Sequence, residues 1–139
     1  MTITLGYAIY SIRKELMINK FKVNFFKERD GSKPVGQFIK QLDLKMKAKV
    51  VSDLSILEEY GNLAQKPLSE ELEDGIFELR TVRGSNIIRI LYFFDKDKII
   101  IATNGFVKKQ QKTPRKEIEL AKKRRADYYS RKEEGTYEQ

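Results

Sequence analysis

Neither cysteine nor histidine occurs anywhere in the 139 residues. Without cysteine there is no disulfide framework and no thiolate chemistry, which suits a cytoplasmic address. Without histidine there is no imidazole base, no His/Cys zinc pattern and no Ser-His-Asp triad. Long hydrophobic runs are missing as well. The apolar stretch from Leu5 to Ile12 is short, contains Gly6 and Ser11 and follows no basic segment, so neither a signal peptide nor a membrane span is expected. Any chemistry must come from Lys, Arg, Tyr, Asp, Glu, Asn, Gln or the backbone, and no metal or cofactor is expected.

What is present is positive charge. A formal net charge of +8 on one domain's length of chain, with 40% hydrophobic residues for a modest core, points to a polyanionic partner, nucleic acid or ribosome ahead of an acidic membrane surface. The charge is concentrated in "GFVKKQQKTPRKEI", Gly105 to Ile118, where an apolar strand runs straight into lysines and glutamines before a helix start.

The periodicities predict an α+β domain. Leu5, Ile9, Ile12 and Leu16 share one helical face, a short amphipathic helix or a leader over residues 1–20. Phe21, Val23 and Phe25 alternate with Lys22 and Asn24, as in a half-buried strand. Ser32 and Pro34 are placed to start one helix, and Asp43 to cap a second, whose stripe Met46, Val50, Leu54 and Leu57 ends at Gly61. After the polar connection "NLAQKPLSEELEDG" come three strands beginning at Ile76, Asn86 and Lys98, joined by the short turns "RGS" and "DKDK". That spacing predicts an antiparallel meander. Thr113 and Pro114 open a last helix, on which Ile118, Ala121, Arg125 and Tyr128 share a face and "KKRR" crowds the basic side. The expected organisation is a domain over 21–130 with a polar tail at 131–139. Its small antiparallel sheet carries an N-terminal helical hairpin and a basic C-terminal helix.

"DGIFELR", "IIRILYFF" and "NGFVKKQQKTPRKEIELAKKR", in that order of elements, resemble the HigB-type, phage-related branch of the RelE/ParE toxin superfamily, from about Phe21 to Tyr129. The resemblance implies a RelE-like fold and a toxin that cleaves mRNA on the translating ribosome. It also implies neutralisation by a HigA-like helix-turn-helix antitoxin in a heterotetramer or larger complex. Asn104 stands where many members of the family carry histidine, which argues against an imidazole mechanism here.

Metal-free RNA cleavage requires a base for the ribose 2′-hydroxyl, charge stabilisation on the phosphorane and a proton for the leaving 5′-oxygen. Arg80 and Arg89, inside otherwise apolar neighbouring strands, are the candidates for the phosphorane, since guanidinium forks suit phosphate; the alternative is an arginine facing solvent or paired with a carboxylate. One of Lys108, Lys109 and Lys112 is expected to move protons, its charge disfavoured by the others; the alternative is a solubilising loop. Tyr92 would stack on a base or assist proton transfer. Three residues from Arg89, however, it falls on the opposite strand face unless a bulge intervenes, and the alternative is a core aromatic. Arg83, Gln111, Lys122, Lys123, Arg124 and Arg125 complete the expected RNA-binding set, with a solvated helical face as the alternative for the last four. A rival on the same scaffold is a ParE-like poison of DNA gyrase without nuclease activity.

Overall fold

The computed structural model describes residues 5–9, 12 and 20–138. Strand β1 (Lys22–Phe25) leads into helices α1 (Pro34–Lys40) and α2 (Leu44–Tyr60), then a single 3₁₀ turn. Strands β2 (Ser69–Glu73), β3 (Ile76–Arg83), β4 (Asn86–Asp95) and β5 (Ile99–Val107) follow, and helix α3 (Arg115–Glu134) closes the chain. The strands form one five-stranded sheet in the order β1-β5-β4-β3-β2.

The meander β3-β4-β5 is antiparallel as expected, but the sheet is mixed, because β1 lies parallel to β5 with Lys22 opposite Ile99 and Phe25 opposite Ala102. The helical hairpin explains this placement. It packs on one face of the sheet, and the end of α2 holds β1 through Phe21 N–H to the Glu58 carbonyl and Val23 N–H to the Glu58 carboxylate, both 2.9 Å. That carboxylate also blunts an exposed strand edge. The second difference is β2, which arises from the stretch read as a polar connection. Its glutamates disfavour strand in isolation, yet it pairs with β3 as an edge strand, with a register shift between Glu71 and Glu73.

Two cores result. Val35, Val50, Leu54 and Leu57 of the hairpin meet Leu79, Ile88, Ile90 and Ile100 on one face. On the other, Ala121 and Tyr128 of α3 meet Phe26, Ile76, Leu91, Phe93 and Ile101. Each fully buried aliphatic or aromatic side chain contributes about 1.5–3 kcal/mol.

Asp43 caps α2 as expected, accepting from Met46 N–H at 2.8 Å. Gly61 has φ +53°, and a Cβ there would sit 2.1 Å from the Phe21 ring, so both conformation and close approach require glycine. Ser32 does not cap α1. Its amide and hydroxyl both donate to Asp30, at 2.9 and 2.7 Å.

Part of the polar tail expected at 131–139 packs on the domain. Helix α3 runs to Glu134, Arg131 is buried and donates to the Lys27 carbonyl, and Tyr137 packs on Tyr128 while its hydroxyl accepts Lys27 N–H at 2.9 Å. Residues 5–9 and 12 are helical, with Leu5, Tyr7, Ile9 and Ile12 exposed. Leu16 of the expected stripe lies outside the described residues. Among the described residues no helix is long and apolar enough to cross a membrane.

Candidate active site

Strand alternation brings the two arginines together. In the β3–β4 ladder Arg80 stands directly opposite Arg89, and Glu78 opposite Leu91, so Glu78, Arg80 and Arg89 share the α3 face of the sheet. Tyr92 is on the other face. The ladder between β4 and β5 does shift register, with Leu91 opposite Asn104 but Tyr92 opposite Ala102. The extra residue is Thr103 on β5, however, and β4 keeps its alternation. Tyr92 is 1% exposed and its ring is stacked on Phe77. Its hydroxyl is hydrogen-bonded to Ser69, and burial pushes its pKa up to about 12. The core-aromatic alternative therefore describes Tyr92, and neither base stacking nor proton transfer is open to it.

Arg89 is almost wholly occupied by the protein. It is 4% exposed; Nη1 donates to Thr113 Oγ1 at 3.0 Å and Nη2 to the Gln111 carbonyl at 2.8 Å. Nε lies 3.3 Å from Glu78 Oε1, an ion pair without hydrogen-bond alignment. Thr113 completes the circuit by donating to the same Glu78 oxygen at 2.7 Å. The hydroxyl expected to cap the last helix thus serves the sheet, and Pro114 takes the N-cap position. This buried Glu78–Arg89–Thr113 network fastens the loop after β5 to the strands. Glu78 and Thr113 were not among the expected site residues; the signal was a carboxylate flanked by apolar residues inside a strand, since such a group is rarely buried unpaired.

Arg80 is the reverse case. Its Nε is buried without a partner, and its guanidinium makes no hydrogen bond or ion pair among the described residues. It lines a cavity of about 270 Å³ with Arg89, Glu78, Gln111, Ser69, Glu70, Lys66 and Pro67. The wall from Lys66 to Glu70 comes from the segment read as a connection. Lys108 sits close enough to feel both arginines. Loss of hydration, then Arg80 and Arg89, hold its ammonium below the usual lysine range, with Glu78 acting in the opposite sense. Its Nζ donates to Gln111 Oε1 at 3.2 Å. Lys109, Lys112 and Arg83 are exposed. Lys112 faces the neighbouring cavity against α3, and Lys109 the groove beside β5.

The basic run of α3 is mostly engaged inside the molecule. Lys122 pairs with Glu73 and Asp74, Arg124 with Glu28 at 3.0 Å and the Thr103 carbonyl at 2.8 Å, and Arg125 with the Asp74 carbonyl. Within this run only Lys123 is exposed. Three of the four cations expected to hold RNA backbone therefore hold α3 against β5, the loop after β1 and the β2–β3 turn. Asn104 is buried, with Nδ2 donating to the Glu117 carbonyl and carboxylate at 3.2 and 3.0 Å.

The family model for phage-derived Gp49-like proteins (DUF891) matches residues 37–126, well over half of the chain and every element from α1 into α3. The chain belongs to that family. No curated protein matches it. Gp49-like proteins are tied to toxins of toxin–antitoxin systems with a RelE-like fold, and the α+β architecture here agrees. Within the Gp49-like match lie Arg80, Arg89, the Lys108–Thr113 loop and the basic run up to Arg125, whereas β1 and the packed Tyr137 fall outside it.

Proposed function

We propose that this Gp49-like protein is a HigB-type toxin, a metal-independent endoribonuclease that cuts mRNA on the translating ribosome and so stops protein synthesis. The observation that carries this reading is the unpartnered Arg80 guanidinium at the wall of a cavity beside Lys108, whose proton affinity is reduced. A cation left free by its own protein, on a rigid strand, is preorganised for charge that develops only in the transition state.

In this reading the neutral Lys108 amine takes the 2′-hydroxyl proton. The O2′–P bond forms as the P–O5′ bond breaks, Arg80 donates to the non-bridging phosphorane oxygens, and Lys109 or Lys112 protonates O5′. The products are a 2′,3′-cyclic phosphate and a 5′-hydroxyl. Arg89 acts as a positioning residue: through Gln111 and Thr113 it fixes the loop that carries the lysines. A ribosomal target fits a cytoplasmic address, and the neutralising partner in this reading is a helix-turn-helix antitoxin, in a heterotetramer or larger complex.

The test is mapping of RNA 5′ ends after induction of the chain alone. Cleavage within translated messages, lost in Arg80→Ala, is expected; normal protein synthesis with accumulating DNA breaks would instead establish the gyrase-poison activity.

A further inference from the structure

Strand β1 covers β5 only from Ile99 to Ala102, so the outer edge of β5 beyond that point has no strand partner among the described residues. There a groove of about 500 Å³ opens, with Phe38 and Phe106 among its walls and Gly105 in its floor. A Cβ on Gly105 would lie 2.7 Å from the Phe38 ring, so glycine lets that ring close on the strand. Phe106 is half-buried and stands directly opposite Arg89. Arg89 also lines the cavity of Arg80, which makes the groove and the cavity neighbours across one side chain. Lys108, Lys109 and Lys116 line the groove too. Lys109 and Lys116 are exposed and pair with no carboxylate among the described residues. The groove's acid, Glu117, already accepts from Asn104.

Aromatic faces between unpaired cations are the chemistry of single-stranded nucleic acid: the rings stack bases irrespective of identity while the ammonium groups hold the adjoining phosphates. We infer that this groove is a nucleobase-stacking subsite, in which the base next to the phosphate held at Arg80 lies on Phe106 with its backbone along Lys109 and Lys116. The inference rests on the RNA reading above for its choice of ligand, but not on cleavage.

The experiment uses the full chain and a short single-stranded 2′-O-methyl RNA, which lacks the nucleophilic proton and stays intact, carrying one 2-aminopurine. Binding at low salt should quench the fluorophore. Phe106→Leu should abolish the quenching and weaken binding about tenfold, and Phe106→Tyr should keep both, in line with roughly 1–3 kcal/mol for one stacked base. Replacing the 2-aminopurine by an abasic site should weaken binding to the parent by a similar factor, with no further loss in Phe106→Leu. That arm leaves the protein unaltered, so it remains decisive if Phe106→Leu folds poorly. Absence of binding, or an abasic strand bound as tightly as the intact one, would overturn the inference. Because the ligand is not cut, failure of the nuclease reading leaves this result legible.

Discussion

Arg80 and Arg89 face each other across one rung of the β3–β4 ladder, yet among the described residues one guanidinium is engaged and the other has no hydrogen-bond or ion-pair partner. Two cations side by side repel, and the arrangement persists because Glu78, placed diagonally on the same face, pairs with Arg89 and offsets that charge. Similar residues in similar strands therefore have different work: Arg89 holds structure, and Arg80 is available to a ligand.

The two alanine variants should separate accordingly. Arg89→Ala leaves Glu78 buried and uncompensated and should cost about 3–5 kcal/mol, visible as a large fall in Tm. Arg80→Ala should melt within about 1 kcal/mol of the parent, yet slow single-turnover cleavage on saturated ribosomes by on the order of 100-fold. Equal losses of stability in both would contradict the division of roles.

Thr113 ties the lysine loop to Glu78 and Arg89 with a single hydroxyl. Thr113→Val should lose about 1–3 kcal/mol through two unmet polar partners and raise tryptic cutting at Lys109 and Lys112, whereas Thr113→Ser should behave like the parent. Unchanged proteolysis in the valine variant would show that the loop is held by other contacts.

If Lys108 is the base, cleavage should rise with pH until its depressed pKa is passed. Its charged form is disfavoured first by lost hydration and next by Arg80. Replacing that neighbour in Arg80→Gln therefore favours the ammonium, raises the Lys108 pKa and should move the rising limb of the pH–rate profile to higher pH, apart from lowering its plateau. A limb that stays in place would assign the proton transfer elsewhere.

The first turns of α3 predict acid sensitivity. Arg115 and Lys122 bond to Glu73 and lower its pKa to about 2. A carboxyl depressed on folding stabilises fully above its unfolded value of about 4.3 and loses that contribution as pH falls through the folded value. Melting temperatures should thus decline between about pH 4.3 and pH 2, and Glu73→Gln should remove part of that decline while lowering Tm at neutral pH. Lys123→Ala, by contrast, should leave Tm unaltered and make the salt dependence of RNA binding shallower by about 0.7–0.9 if it holds one phosphate.

The sequence by itself determined the α+β class, the hairpin, the meander and the convergence of Arg80 and Arg89, because each follows from a local period of alternation or helical repeat together with short turns. It also determined the parity that sets Tyr92 away from Arg89, since an extra residue in β5 leaves the alternation of β4 intact. Only the tertiary structure decided that β1 runs parallel to β5 and that the glutamate-rich connection becomes β2, because edge pairing depends on what the rest of the fold leaves open. It alone decided which cations are free. Lys122, Arg124 and Arg125 meet carboxylates or carbonyls about 20 to 100 residues away in the chain, and Arg89 meets Glu78 and Thr113, whereas the Arg80 guanidinium meets none among the described residues. A charge's partner is set by distance in space, which spacing along the chain does not encode.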